Sequence, residues 1–90
     1  MQQKYKVFIN SDGVTEDNPL SVELIDELSR PIPGYSRKLS GVINTDGVRQ
    51  KVIWPKNNSI HFNRDKPFAV RVNFPAKGNV RLYSIYVQEE

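Results

Sequence analysis

The chain has no cysteine, so disulfide staples and thiolate metal sites are excluded, while the compartment stays open because many secreted bacterial domains also lack cysteine. It has a single histidine, a single tryptophan and a single methionine. No apolar run approaches the roughly 18 residues that cross a bilayer, and no membrane association is expected. No block of one charge stands out either: 13 basic and 10 acidic residues are scattered along 90 positions, with a net charge of +3. Such a spread leaves no nucleic-acid footprint. The opening Met1-Gln2-Gln3-Lys4 lacks the apolar stretch of a signal peptide, so an exported form is expected to begin after its leader.

What is present is globular in composition: 38% hydrophobic and 10% aromatic residues, distributed over the whole length. Disordered chains carry fewer aromatic and β-branched residues. The length fits one thin-cored domain. A single β-sandwich domain over residues 1–90, cut from a larger protein, is expected.

The apolar period is two throughout. Tyr5, Val7 and Ile9 alternate with Lys4, Lys6 and Phe8, and Leu20, Val22 and Leu24 alternate with Ser21 and Glu23. Val48, Gln50, Val52 and Trp54 face opposite to Arg49, Lys51 and Ile53. Phe68, Val70, Val72 and Phe74 alternate with Ala69, Arg71 and Asn73. Val80 to Val87 is apolar on both faces, the pattern of a strand buried on both sides. Residues 22–28, the one helical candidate, carry the strand alternation and are read as strand. Asp12-Gly13, Asp46-Gly47 and Lys77-Gly78-Asn79 offer the positive φ of reversals, and Pro31, Pro33 and Gly34 mark an extended connection.

These runs predict an all-β fold, a small antiparallel β-sandwich of five to seven strands. The segments 67–74 and 80–87 are expected to pair as a hairpin across Pro75-Ala76-Lys77-Gly78-Asn79. Val22, Leu24, Val52, Trp54, Val70, Val72 and Leu82 form the expected core. Lys4 and Lys6 read as protection of an edge strand and favour a monomeric domain.

The hexapeptide Ile9-Asn10-Ser11-Asp12-Gly13-Val14 recurs as Ile43-Asn44-Thr45-Asp46-Gly47-Val48. Reuse of a strand-end turn accounts for it. A pair of cation-binding loops is the sharper alternative, but each copy offers only two or three oxygen-bearing side chains, short of a Ca²⁺ shell. No metal or cofactor is expected.

Catalysis needs a nucleophile with its base, a carboxylate pair or a metal triad. His61 sits in the polar run Asn57-Asn58-Ser59-Ile60-His61-Phe62, and the acidic residues are dispersed among turns and strands. No catalytic residues are assigned, and no enzyme is expected. Asn57-Asn58-Ser59 also fits a glycosylation sequon, a match short enough to arise by chance.

Binding is the remaining chemistry. Sugar-binding β-domains set exposed rings against pyranose faces and let amides, carboxylates and guanidinium groups take the hydroxyls. Trp54 shares a face with Val52 and is assigned to the core, while Tyr83 and Tyr86 are counted to opposite faces. Tyr35, after Pro33-Gly34, is the candidate exposed ring, with Arg37, Asn57 and Asn58 as its polar neighbours.

Five pieces in order, Leu20-Ser21-Val22-Glu23-Leu24-Ile25-Asp26, Arg30-Pro31-Ile32-Pro33-Gly34-Tyr35-Ser36, Thr45-Asp46 with Val52-Ile53-Trp54, Asp65-Lys66-Pro67-Phe68-Ala69-Val70-Arg71-Val72, and Leu82-Tyr83-Ser84-Ile85, carry a resemblance. Together they resemble the C-terminal β-sandwich segment of bacterial five-bladed β-propeller proteins of the β-fructosidase and arabinanase-like sets and of sialidase-like repeat proteins. In that family the position of Gly34-Tyr35-Ser36 reads Gly-Phe-Ser and the loop after it is usually acidic, whereas here it reads Arg37-Lys38-Leu39-Ser40-Gly41. The resemblance implies an extracellular or periplasmic, glycoside-hydrolase-associated accessory domain that packs on a parent catalytic propeller domain. Structural support or weak carbohydrate binding, with an oligosaccharide as ligand, would be its function. A protein–protein assembly module of an adhesin, surface layer or phage particle is the alternative. The two differ in surface: a ring-lined polar strip against an apolar patch or an unprotected edge strand.

Overall fold

The computed structural model describes residues 2–57, 60–63 and 66–89. It is an antiparallel sandwich of seven strands in two sheets. Strand β1 (Gln2–Asp12) occupies the centre of the first sheet. On one side it pairs with β7 (Arg81–Glu89), from Tyr5–Glu89 to Asp12–Arg81. On the other side lie β4 (Gly47–Lys51) and β5 (Ile60–Asn63), end to end: β4 pairs Phe8–Lys51 and Ile9–Gln50, and β5 runs from Gln2–Asn63 to Tyr5–Ile60. The second sheet has β2 (Leu20–Asp26) between β3 (Gly41–Ile43) and β6 (Phe68–Asn73).

Alternation decides what the sheets bury. Val7 and Ile9 of β1 and Leu20, Val22 and Leu24 of β2 point between the layers and are fully buried. Val52, Trp54 and Ile60 join them, with Val14, Tyr35 and Ile43 at the margins. Trp54 fills the gap between β4 and β5, its Nε1 donating to the carbonyl of Val22 at 3.2 Å. Of the expected core, Val22, Leu24, Val52 and Trp54 are buried, whereas Val70, Val72 and Leu82 are only partly covered.

Three further expectations are corrected. Segments 67–74 and 80–87 do not form a hairpin: β6 pairs with β2 and β7 with β1, so residues 74–80 cross from one sheet to the other. Turn length and alternation are shared by hairpins and by such arches, and only the other partners of each strand distinguish them. Lys4 and Lys6 do not guard an edge, because β1 is paired on both sides. β7 is not covered on both faces; among the described residues it pairs with β1 alone, as an edge strand, and most of it is exposed.

The turns are held by their own side chains. Asp26 Oδ1 accepts the N–H groups of Leu28 and Arg30, and Oδ2 meets Arg30 Nε at 2.9 Å, which closes the turn around Ser29 at φ 63°. The chain then returns beside β2: Ile32 N–H reaches Leu24 O, Leu24 N–H reaches Tyr35 O, and Ser36 Oγ donates to Leu24 O at 2.7 Å. Gly13 has φ 74°, and a Cβ there would collide with the Asn79 carbonyl. Gly47, expected to have positive φ, does not; a Cβ at that position would press on Gln50. The repeated hexapeptides meet, with Asp46 Oδ1 accepting the Val14 N–H at 2.8 Å, but they differ in conformation, since Gly13 has positive φ and Gly47 does not.

Candidate functional site

Two regions merit description: the loop cluster that gathers the sequence-predicted ligand residues, and the edge formed by β7.

In the first, Asn57 Nδ2 donates to Gly34 O at 3.2 Å and ties the turn at 54–57 to the return segment. Tyr35 is brought to the same place but is not exposed. Only 7% of its surface is accessible, its ring meets Trp54 edge to face at 5.6 Å, and its hydroxyl accepts the His61 N–H at 3.2 Å. Pro33-Gly34 does make a loop, but the loop folds back over the core, and its bonds to Leu24 turn the ring inward. The expected exposure of Tyr35 is therefore corrected: its faces are committed to packing.

Arg37 is exposed and sits in left-handed backbone at φ 57°. Its N–H donates to Glu23 Oε2 at 3.0 Å, while Asn73 Nδ2 donates to Glu23 Oε1 at 2.6 Å. The Arg37 N–H above all holds the Glu23 carboxyl below its ordinary value, with Asn73 and the charges of Arg71 and Arg37 adding to it and burial opposing. This carboxylate fastens the loop to the second sheet. Asn58 lies outside the described residues. His61 is exposed on β5, and among the described residues no pocket and no metal-holding group of His, Asp and Glu is present.

The second region was missed because the apolar doubling of residues 80–87 read as two-sided burial. Tyr35 of the return segment touches β5, so that flank of β2 lies over β5, and β6, on the opposite flank, lies over β7. Ile85 and Val87 oppose Ile9 and Val7, so they face the inside of the sandwich. Yet they remain 38% and 49% exposed. Phe68, Val70 and Val72 of β6, which share the inner face with Leu24 and Val22, are also half-covered. The seam between β6 and β7 is thus apolar and incompletely closed.

The outer face of β7 is different. Arg49 lies 4.5 Å from the Phe8 ring centroid and 5.5 Å from that of Tyr86, and it donates to Gln88 Oε1 at 3.0 Å. Tyr83 is the extra residue of a bulge between the Asn10–Ser84 and Ser11–Leu82 pairs, and its hydroxyl donates to Asp12 Oδ2 at 2.8 Å. That bulge breaks the alternation by which Tyr83 and Tyr86 were counted to opposite faces.

The backbone of β7 completes the site. Val52 N–H donates to Val7 O at 2.8 Å, so Val7 directs its polar groups away from β7. By alternation Lys6, Phe8 and Asn10 bond to Gln88, Tyr86 and Ser84. Ile85, Val87 and Glu89 therefore aim their N–H and C=O groups outward, along an edge with neither lysine nor proline. Fold and surface together define a seven-stranded antiparallel sandwich whose β7 edge is regular from Ser84 to Glu89 and free of lysine and proline. Comparison with protein-family models, curated proteins and solved structures finds no match for this chain.

Proposed function

We propose that this domain is a non-catalytic interaction module that takes up an extended protein strand along β7. The observation that carries the reading is the coincidence of three features on one strand: outward-directed backbone groups, inner-face Ile85 and Val87 left half-open, and no blocking lysine or proline. In β-augmentation the main-chain bonds supply affinity and alternate side-chain positions supply selectivity. An added strand would meet both needs of this edge, since it satisfies the outward groups and covers the seam. A sugar platform is less well supported: the Tyr35 ring is packed on Trp54, and the Arg49 guanidinium lies by the Tyr86 ring.

A displayed library of random nine-residue peptides, selected on the wild-type domain and counter-selected on Val87→Pro, tests the reading. Recovered peptides should alternate apolar and polar residues, and their addition should slow amide exchange at Ile85 and Val87. Peptides that bind Val87→Pro equally well, or that protect amides elsewhere, would remove the edge from consideration.

A further inference from the structure

The partner best matched to β7 is a second copy of β7. We infer that two copies of this chain join through β7 edges in antiparallel register, centred on Tyr86. The inference rests on the strand-addition reading and names the strand that is added.

Antiparallel pairing of two identical edge strands places a two-fold axis perpendicular to the sheet, so facing residues must point to the same side. The bulge at Tyr83 limits the regular edge to Ser84–Glu89, which leaves two centred registers, one about Tyr86 and one about Val87. About Val87, Ile85 would face Glu89 of the other copy, a carboxylate against an aliphatic side chain on the inner face. About Tyr86, Ile85 faces Val87 twice on the inner side. On the outer side Tyr86 faces Tyr86, and Ser84 faces Gln88. Apolar residues meet apolar and polar meet polar, and β7 has no charged residue from 82 to 88, so no like charges face each other between the paired strands.

Main-chain geometry agrees with that register. Ile85 and Val87 carry outward N–H and C=O groups, so the two Ile85–Val87 pairs would be the hydrogen-bonded ones. Tyr86, bonded inward to Phe8, would form the close pair without bonds, where Cα atoms approach to about 4.5 Å. Both seams would gain cover together, because the four inner-face side chains meet beside the half-covered Val70 and Val72 of each copy. The same arrangement satisfies the edge and the exposed apolar row, and each copy needs nothing from any other molecule.

The absence of native cysteine makes the register directly readable. Tyr86→Cys in glutathione redox buffer should give a disulfide-linked dimer, because the close pair lies within disulfide range. Ile85→Cys and Lys56→Cys should stay largely uncoupled. Sedimentation velocity of the wild type over about 1–500 µM should show a monomer–dimer equilibrium, weakened at least about tenfold by Val87→Lys. Far-ultraviolet dichroism and Trp54 emission identify a variant that fails to fold, and Ile85→Lys provides the second disruption. A monomer at every concentration, while selected peptides still protect Ile85 and Val87, would overturn the second-copy partner and leave strand addition standing. A dimer insensitive to both lysine variants, or coupled as readily through Lys56→Cys, would overturn the register and the edge. Failure of both the peptides and the dimer would dispose of both readings.

Discussion

Trp54 is the largest fully buried side chain among the described residues. It is 1% exposed, bonds Val22 across the layers and stacks edge to face with Tyr35. Trp54→Ala removes all three interactions, and truncating a buried Trp costs about 3–5 kcal/mol. For a domain of this length that corresponds to a fall in thermal midpoint of about 12 °C or more, measurable by calorimetry. Ser11 should respond the opposite way. It is buried, and its hydroxyl finds no hydrogen-bond partner among the described residues. Ser11→Ala discards a desolvated polar group and is expected to raise stability by up to about 1 kcal/mol in urea unfolding. Glu23 sets a pH dependence. Its folded pKa lies below the unfolded one, so its contribution is complete above the ordinary value of 4.5 and is lost as pH falls through the folded value. Glu23→Gln should therefore flatten the acid limb of the stability curve below about pH 5, with little change in its slope at neutral pH.

At the scale of elements, β1 and β7 should behave as opposites in hydrogen exchange. β1 is bonded on both flanks, so its amides should be among the slowest to exchange. In the isolated monomer the outward amides of Ile85 and Val87 should exchange far faster than those of Ser84, Tyr86 and Gln88. A uniform β7 would contradict the assigned pairing. Much of this layer was legible in the sequence. The period of two located the strands, and the shared face of Val52 and Trp54 placed that ring inside. Pairing was less legible. A run of alternating residues states which side is apolar but not which strand lies alongside, so β6 and β7 looked like neighbours, and β1 looked like an edge because of Lys4 and Lys6. The loop at 33–36 shows the same limit: Pro-Gly announced a turn correctly, while the bonds to Leu24 that pull Tyr35 under it come from a strand nine or more positions away. The apolar doubling of 80–87 carried the signal of the candidate site, and without knowledge of the missing cover it read as burial.

Across the whole molecule, the pairing of β1 with β7 closes the chain nearly end to end, from Tyr5 to Glu89. Folding must bring these distant segments together before most of the core can form, so relaxation on the millisecond-to-second scale is expected. Stopped-flow emission from Trp54 would measure it. The two flanks of the first sheet are unequal. β7 offers a regular edge from Ser84 to Glu89, whereas the opposite flank is divided between five-residue β4 and four-residue β5, with the stretch that plants Trp54 in the core between them. That interruption limits growth. A sheet with two serviceable edges can recruit copies without end, as fibrils do, but a sheet with one becomes saturated after a single addition. In the proposed dimer the stretch that carries Trp54 leaves the first sheet with a single edge for a partner, and a smooth strand across 52–57 would give that sheet a second.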